Sequence, residues 1–193
     1  MDKFIMTIGG SPRKNGFSAK MLQCFTESLR QHSVEHCLSI RHYDAYSCDF
    51  MPCTDCRACC KFEGCVNHDM DEFFADFERC DAIVIATPIY NMSFPAPLKV
   101  MIDRMQRYFS ARFSLGKRPP IAKHRPVILL ASGGDVREDG AFIVKQLERI
   151  FTVTNCELVD SVVLNGTDKL DIKDFPDERI RNVICDLTKT ILN

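Results

Sequence analysis

Cys53, Cys56, Cys59 and Cys65 stand in a C-x2-C-x2-C-x5-C spacing inside the stretch "YSCDFMPCTDCRACCKFEGC". Four thiolates on one short loop can wrap a single metal centre, because each ligand needs little reach and an irregular loop has no competing ladder of backbone hydrogen bonds. Such a set suits an iron-sulfur centre or a closed tetrahedral zinc site, and the plain alternative is a cysteine-rich loop of reduced thiols. Cys48 and Cys60 stand close enough in sequence to compete as ligands. Cys24, Cys37, Cys80, Cys156 and Cys185 fall in helical or strand patterns and read as small core residues.

A second set begins at Gly9, where "GGSPRKNGFS" follows the apolar run "FIMTI". Glycines let backbone approach a ligand closely, and a helix opening directly afterwards offers unpaired N–H groups and its positive dipole end to an anion. No GK[ST] follows the glycines, so the lysine and magnesium-binding hydroxyl of a Walker site are missing. The G-x-G-x-x-G spacing of a dinucleotide fold is missing too. A compact phosphomonoester remains, with Ser11 and Ser18 as hydroxyl donors and Arg13 as a charge-assisted fork.

These residues need elements to hold them. The 193 residues, 46% of them hydrophobic, suffice for one full domain and are short for two, so a single domain over 1–193 is expected, with the cysteine loop inserted at about 47–68. With 25 basic and 26 acidic residues the net charge is -1, and no global field favours nucleic acid or an anionic membrane. No secretory signal pattern and no run of about eighteen apolar residues is visible, so the expected location is the cytoplasm. There, eleven cysteines point to metal or redox work rather than to disulfides.

Strand patterns alternate with helical ones. Lys3–Ile8 and Val34–Ile40 read as strands, followed by "DAIVIATP", "RPVILLASGG" and Leu158–Leu164. Helices are expected through Met21–Leu29, over Met70–Arg79 with Asp69 and Glu72 in capping-box spacing, and after Pro97 with Leu98, Met101, Ile102 and Met105 as the buried stripe. Two more follow, through Ile143–Phe151 and Ile180–Ile191. The chain thus predicts a three-layer α/β sandwich, with right-handed crossovers and one reversal placing five parallel strands in the order 2-1-3-4-5. "GKRPPIAKHRP" reads as a basic surface loop, and Tyr108–Arg125 as a loop available to an interface. Asp103 and Arg107 have the spacing of a helical ion pair. The five histidines lie in scattered polar surroundings and read as surface residues without a Cys-His or Ser-His-Asp arrangement.

In such a sheet the loops after strands one, three and four converge on one ligand. Here they are "GGSPRKNGFS", "TPIYNMSFPAP" and "ASGGDVREDG". With "TPIYNMSFPAPLKVMIDR" and the cysteine run in the same order, the chain closely resembles the NAD(P)H-dependent FMN reductase and iron-sulfur flavoprotein branch of the flavodoxin-like superfamily. That resemblance implies FMN phosphate at Ser11, Arg13, Gly16, Phe17 and Ser18, where Phe17 stands at a position the family often fills with asparagine. It implies the isoalloxazine ring along Pro88, Ile89, Tyr90, Asn91 and Met92, with Ser132, Gly133 and Gly134 at the pyrimidine side. It further implies a [4Fe-4S] centre on Cys53, Cys56, Cys59 and Cys65, and a homo-oligomer with the flavin near the subunit boundary.

Two functions follow from it. One is an FMN-dependent oxidoreductase that takes electrons from NAD(P)H and reduces flavin, quinone or another small acceptor. The other is an iron-sulfur flavoprotein that carries electrons between ferredoxin-like partners and a terminal acceptor. In either, the flavin does the chemistry and no catalytic side chain is assigned.

Overall fold

The computed structural model describes residues 2–33, 37–137 and 140–192. Its centre is a sheet of five parallel strands: β1 (Lys3–Gly9), β2 (Leu38–Asp44), β3 (Ala82–Pro88), β4 (Arg125–Ser132) and β5 (Cys156–Leu164). They lie in the order β2-β1-β3-β4-β5, as expected. The second strand begins later than the sequence pattern suggests and runs on to Asp44; the start expected at Val34, like His36, lies outside the described residues. The last strand begins two residues early, at Cys156.

Helices cover both faces. On one side α1 (Phe17–His32) and α6 (Glu178–Leu192) bury Met21, Phe25, Leu29, Ile184 and Ile191 against Ile5, Val84 and Ile128. On the other, α2 (Asp71–Arg79), α3 (Ala96–Arg104), α4 (Gln106–Phe113) and α5 (Ala141–Thr154) bury Phe73, Phe74, Leu98, Met101 and Leu147 against Met6, Ile83 and Leu129. The central strands therefore carry apolar residues on both faces, which is why β3 and β4 read as continuous apolar runs.

Several local expectations give way. Asp69 does not cap α2, whose N-cap is Met70; its carboxylate accepts the Met51 N–H at 2.6 Å and pairs with Arg104 at 2.9 Å. Asp103 pairs with Lys99 and Arg107 with Glu78, so the expected Asp103–Arg107 pair does not form. The segment expected as an interface loop is helical up to Phe113, and its two ends, Tyr108 and Arg125, are buried. Of the five cysteines assigned to the core, Cys80 and Cys156 are buried, Cys24 and Cys185 lie at its margin, and Cys37 is exposed. A Cys-His contact also exists: Cys185 Sγ lies 3.6 Å from His32 Nε2, where α6 packs on α1.

Burial pushes the Cys80 thiol up to about 12 from its ordinary 9.0, against the pull of nearby Arg125. Between those values the unfolded chain releases a proton that the folded chain keeps. The unfolded state then binds fewer protons, and stability falls as pH rises, by at most ~1.4 kcal/mol per pH unit for one such group. We expect melting temperatures to decline above about pH 9, and Cys80→Ala to show a shallower decline over that window; equal slopes would assign the effect to other groups.

Candidate functional site

The carboxyl ends of β1, β3, β4 and β5 surround an open cavity of about 500 Å³. Its walls include Ser11, Arg13, Gly16, Phe17, Ser18, Pro88, Ile89, Tyr90, Asn91, Ser132 and Gly134, so three of the loops named from sequence do converge. Three wall residues escaped the sequence reading: Asp135, Thr167 and Asp168. Thr167 and Asp168 follow β5, and the rule that places ligands at strand carboxyl ends, applied to one more strand, would have found them.

The α1 end of the cavity is built for an anion. Gly16 caps α1 in an extended conformation, no side chain bonds the first turn, and no acidic residue occupies it. The first intrahelical bond runs from the Lys20 N–H to the Gly16 carbonyl, while the Gly16 N–H donates to the Arg13 carbonyl at 3.0 Å, so the N–H groups of Phe17 and Ser18 stand at the positive end of a 16-residue helix. The Arg13 guanidinium makes no hydrogen bond or ion pair among the described residues, while Lys14 lines a different groove, beside Thr7 and His42. His42 is exposed, as expected of it, with its Nδ1 3.0 Å from Thr7 Oγ1, and partial desolvation lowers its pKa. Ser11 is turned inward: its hydroxyl donates to the Arg13 carbonyl and accepts the Arg13 N–H, closing the turn that presents Arg13. Phe17 points its ring at Phe175, edge-on at 5.1 Å, and so serves the cavity through its backbone.

At the β4–β5 end the charge is opposite. Hydrogen bonds from Arg137 hold the Asp135 carboxyl down at about 2. A Cβ on Gly134 would meet the Asp168 carboxylate at 2.7 Å, so a larger residue there would push that exposed side chain out of the cavity wall. Gly133 stands behind the wall, its carbonyl accepting both the N–H and the hydroxyl of Thr167 at 3.0 Å. The flat side is a tight turn in which Tyr90 and Ser93 exchange two 2.9 Å backbone bonds and Asn91 and Met92 take φ of 51° and 61°. Asn tolerates that left-handed conformation, whereas Met pays for it. Met92 faces a second cavity of about 410 Å³, lined also by Ile89, Asp135, Arg137, Phe142 and Ile143. We expect Met92→Gly to stabilise the fold by roughly 0.5–1 kcal/mol, read as a higher urea midpoint; an unchanged midpoint would mean that the methionine contacts offset the strain.

Cys53, Cys56, Cys59, Cys60 and Cys65 line a separate pocket with Arg57, Arg104, Arg107 and Ser110, and none of the five lines the first cavity. Left-handed Asp55 and Arg57 coil the loop back on itself, and Ala58–Cys60 form one 3-10 turn. Ser110 of α4 sits between neighbouring thiols, 3.3 Å from Cys59 and 3.5 Å from Cys60. Among the described residues no three His, Cys, Asp or Glu side chains converge on the position of a single ion.

A parallel 2-1-3-4-5 sheet with a phosphate-type cradle after β1 and a flat wall after β3 defines a flavodoxin-like protein with a nucleotide-sized site. A family model for NADPH-dependent FMN reductase matches residues 4–168, and the chain belongs to that family. An iron-sulfur flavoprotein of Archaeoglobus fulgidus is 31% identical over 128 residues, 66% of this chain and 50% of that protein. An FMN-dependent NADH:quinone oxidoreductase of Burkholderia lata is 32% identical over 103 residues, half of each chain. The chain thus spans about half the length of both relatives. Among solved structures, an FMN-dependent NADH-azoreductase from Bacillus anthracis in complex with FMN superposes with a TM-score of 0.69, at 17% identity over 99% of this chain and 100% of that one, which establishes the shared fold.

Proposed function

We propose that the protein is an FMN-dependent oxidoreductase that takes electrons from NAD(P)H and passes them to a flavin, a quinone or another small acceptor. The observation that carries this reading is the lengthwise polarity of the cavity: a free Arg13 and a bare helix N-terminus at one end, a flat turn in the middle, and Asp135 and Asp168 at the other. Those residues fit FMN, with its phosphate resting against Gly16 and held by Arg13, Ser18 and the N–H groups of Phe17 and Ser18. Pro88, Ile89, Tyr90 and Asn91 would bound the ring system, and Ser132 and Gly134 the edge beside Asp168. FMN so held would accept a hydride from a nicotinamide and release electrons singly or in pairs. The chain's own work is to bind, orient and keep open the adjoining apolar cavity at Met92, Phe142 and Ile143, which suits a planar acceptor.

One observation favours a second reading, an iron-sulfur flavoprotein that carries electrons between a ferredoxin-like donor and a terminal acceptor. Five thiols share one pocket with a buried guanidinium that has an unpaired donor, and this donor set fits a thiolate-bound [4Fe-4S] centre on Cys53, Cys56, Cys59 and Cys65. Zinc would suit the same four sulfurs.

Anaerobic addition of NADPH, then NADH, to the FMN-loaded protein tests the choice by absorbance at the flavin band. Bleaching by either nucleotide supports the oxidoreductase. Bleaching by reduced ferredoxin alone supports the carrier and overturns the first reading. The cytoplasmic location and the homo-oligomer belong to the same proposal; among the described residues no helix is long and apolar enough to cross a membrane.

A further inference from the structure

Arg104, the last residue of α3, is 3% exposed and reaches both ends of the cysteine loop. Its Nη1 donates to the Met51 carbonyl at 2.8 Å and its Nη2 to the Asn67 carbonyl at 2.8 Å, while Asp69 pairs with Nη2 at 2.9 Å. Asp69 completes the closure by accepting the Met51 N–H at 2.6 Å. Residues 51–67, with all five pocket thiols, thus hang from one guanidinium and one carboxylate. Arg104 Nε is buried without a hydrogen-bond partner. A guanidinium keeps its charge at every accessible pH, and a buried donor left unpaired is costly, so this nitrogen calls for an acceptor that it does not have among the described residues as they stand. Arg104 and Cys65 both belong to the wall of the thiol pocket.

We propose that Arg104 is the positioning residue of the thiolate centre: its two Nη atoms clasp the loop ends, and its Nε donates to the coordinating sulfur of Cys65. The proposal rests on the four-thiolate reading above and deepens it. A [4Fe-4S] core held by four thiolates carries net negative charge that grows by one on reduction. A buried cation bonded to one sulfur stabilises the reduced state and raises the midpoint potential, as hydrogen bonds to cluster sulfurs do in general. Ser110, between Cys59 and Cys60, holds the opposite side of the loop by a neutral bond.

The test is anaerobic reconstitution of the full chain with ferrous iron and sulfide, for the wild type, Arg104→Lys, Arg104→Met and Asp69→Asn. Iron and sulfide content, the rate of cluster loss to a chelator, and the midpoint potential are measured. Arg104→Met is expected to lose its cluster at least tenfold faster and to have a lower midpoint. Arg104→Lys keeps the charge but cannot span both loop ends, so its loss rate rises while its midpoint stays near that of wild type. Asp69→Asn removes an anion and loosens one end, so loss quickens and the midpoint rises, opposite in sign to Arg104→Met; this variant carries the test if Arg104→Met does not fold. A purely structural arginine would speed cluster loss without moving the midpoint, and that result overturns the proposal while leaving the cluster reading intact. Wild-type protein that takes up no iron but binds Co²⁺ with thiolate charge-transfer absorbance overturns the cluster reading alone, and the Arg104→Met comparison is then made on Co²⁺ affinity, where an unchanged affinity overturns the proposal. Failure to take up either metal overturns both.

Discussion

Arg125→Ala is expected to cost the fold about 3 kcal/mol, or roughly 6–12 °C of melting temperature for a chain of this size. Arg125 opens β4 with no exposed surface, and no carboxylate pairs with it among the described residues. Its Nη1 donates to the Phe77 carbonyl at 2.5 Å and its Nη2 to the Thr154 carbonyl. Those carbonyls belong to the last turns of α2 and α5, the negative ends of two helices, so one cation caps both. The guanidinium also lies 4.9 Å from the centre of the Phe77 ring. Truncation leaves two buried carbonyl oxygens with only the weak thiol donors of Cys80, 3.4 Å from the Phe77 oxygen, and Cys156, 3.7 Å from the Thr154 oxygen; each lost guanidinium bond is worth about 1–3 kcal/mol, a cavity opens, and relief from burying an unpaired charge offsets part of that. Arg125→Met separates the contributions, since it keeps much of the volume and none of the hydrogen bonds. Chemical denaturation gives the comparison. If alanine and methionine are both tolerated within about 0.5 kcal/mol, the double cap is not what holds the helix ends.

Arg13→Ala is expected to weaken FMN binding roughly 10- to 100-fold while leaving riboflavin binding unchanged. Hydrogen bonds to charged groups contribute about 1.5–3 kcal/mol, and the Arg13 guanidinium has no competing partner among the described residues to be released from. Arg13→Lys would recover part of the loss, since a lysine supplies charge without the planar fork. Titration of apoprotein with both flavins, followed by fluorescence quenching, reads the difference directly. Equal losses for FMN and riboflavin would move the arginine away from the phosphate.

The sheet and the loop between β1 and α1 were legible because each rests on a local pattern: continuous apolar runs for strands buried on both faces, and glycines placed between a strand and a helix. The order 2-1-3-4-5 followed from right-handed crossovers with one reversal, and the flavodoxin-like resemblance implies the same order. Less legible were residues whose roles depend on distant partners. Asp69 has the spacing of a capping residue, yet Met51 and Arg104 claim its carboxylate. Arg104 sits in an apolar helical stripe as an ordinary last-turn basic residue, and nothing near it in sequence shows that residues 51 and 67 meet at its side chain. Helix α4 was hidden because Tyr108 and Ala111 face inward while Phe109 and Phe113 face out, so its apolar residues fall on both sides and blur the period. Asp168 was missed because "GTDK" has the composition of a plain turn; only its closure on Gly134 makes it a wall of the cavity.

Helix α3 begins just after the Tyr90–Ser93 turn and ends at Arg104, nine residues or about 13 Å later. Its middle is pinned by Leu98 and Met101, each 1% exposed, so it has little room to slide or bend. Such a strut fixes the spacing between the flat wall of one site and the thiol loop of the other. Electron tunnelling weakens steeply with separation, so with both sites loaded as proposed the gap would be set by a helix of the core rather than by two surface loops. On the proposed reading, loop residues on either side could then vary in length and sequence while the rate of transfer between the two sites would stay bounded by the same ruler.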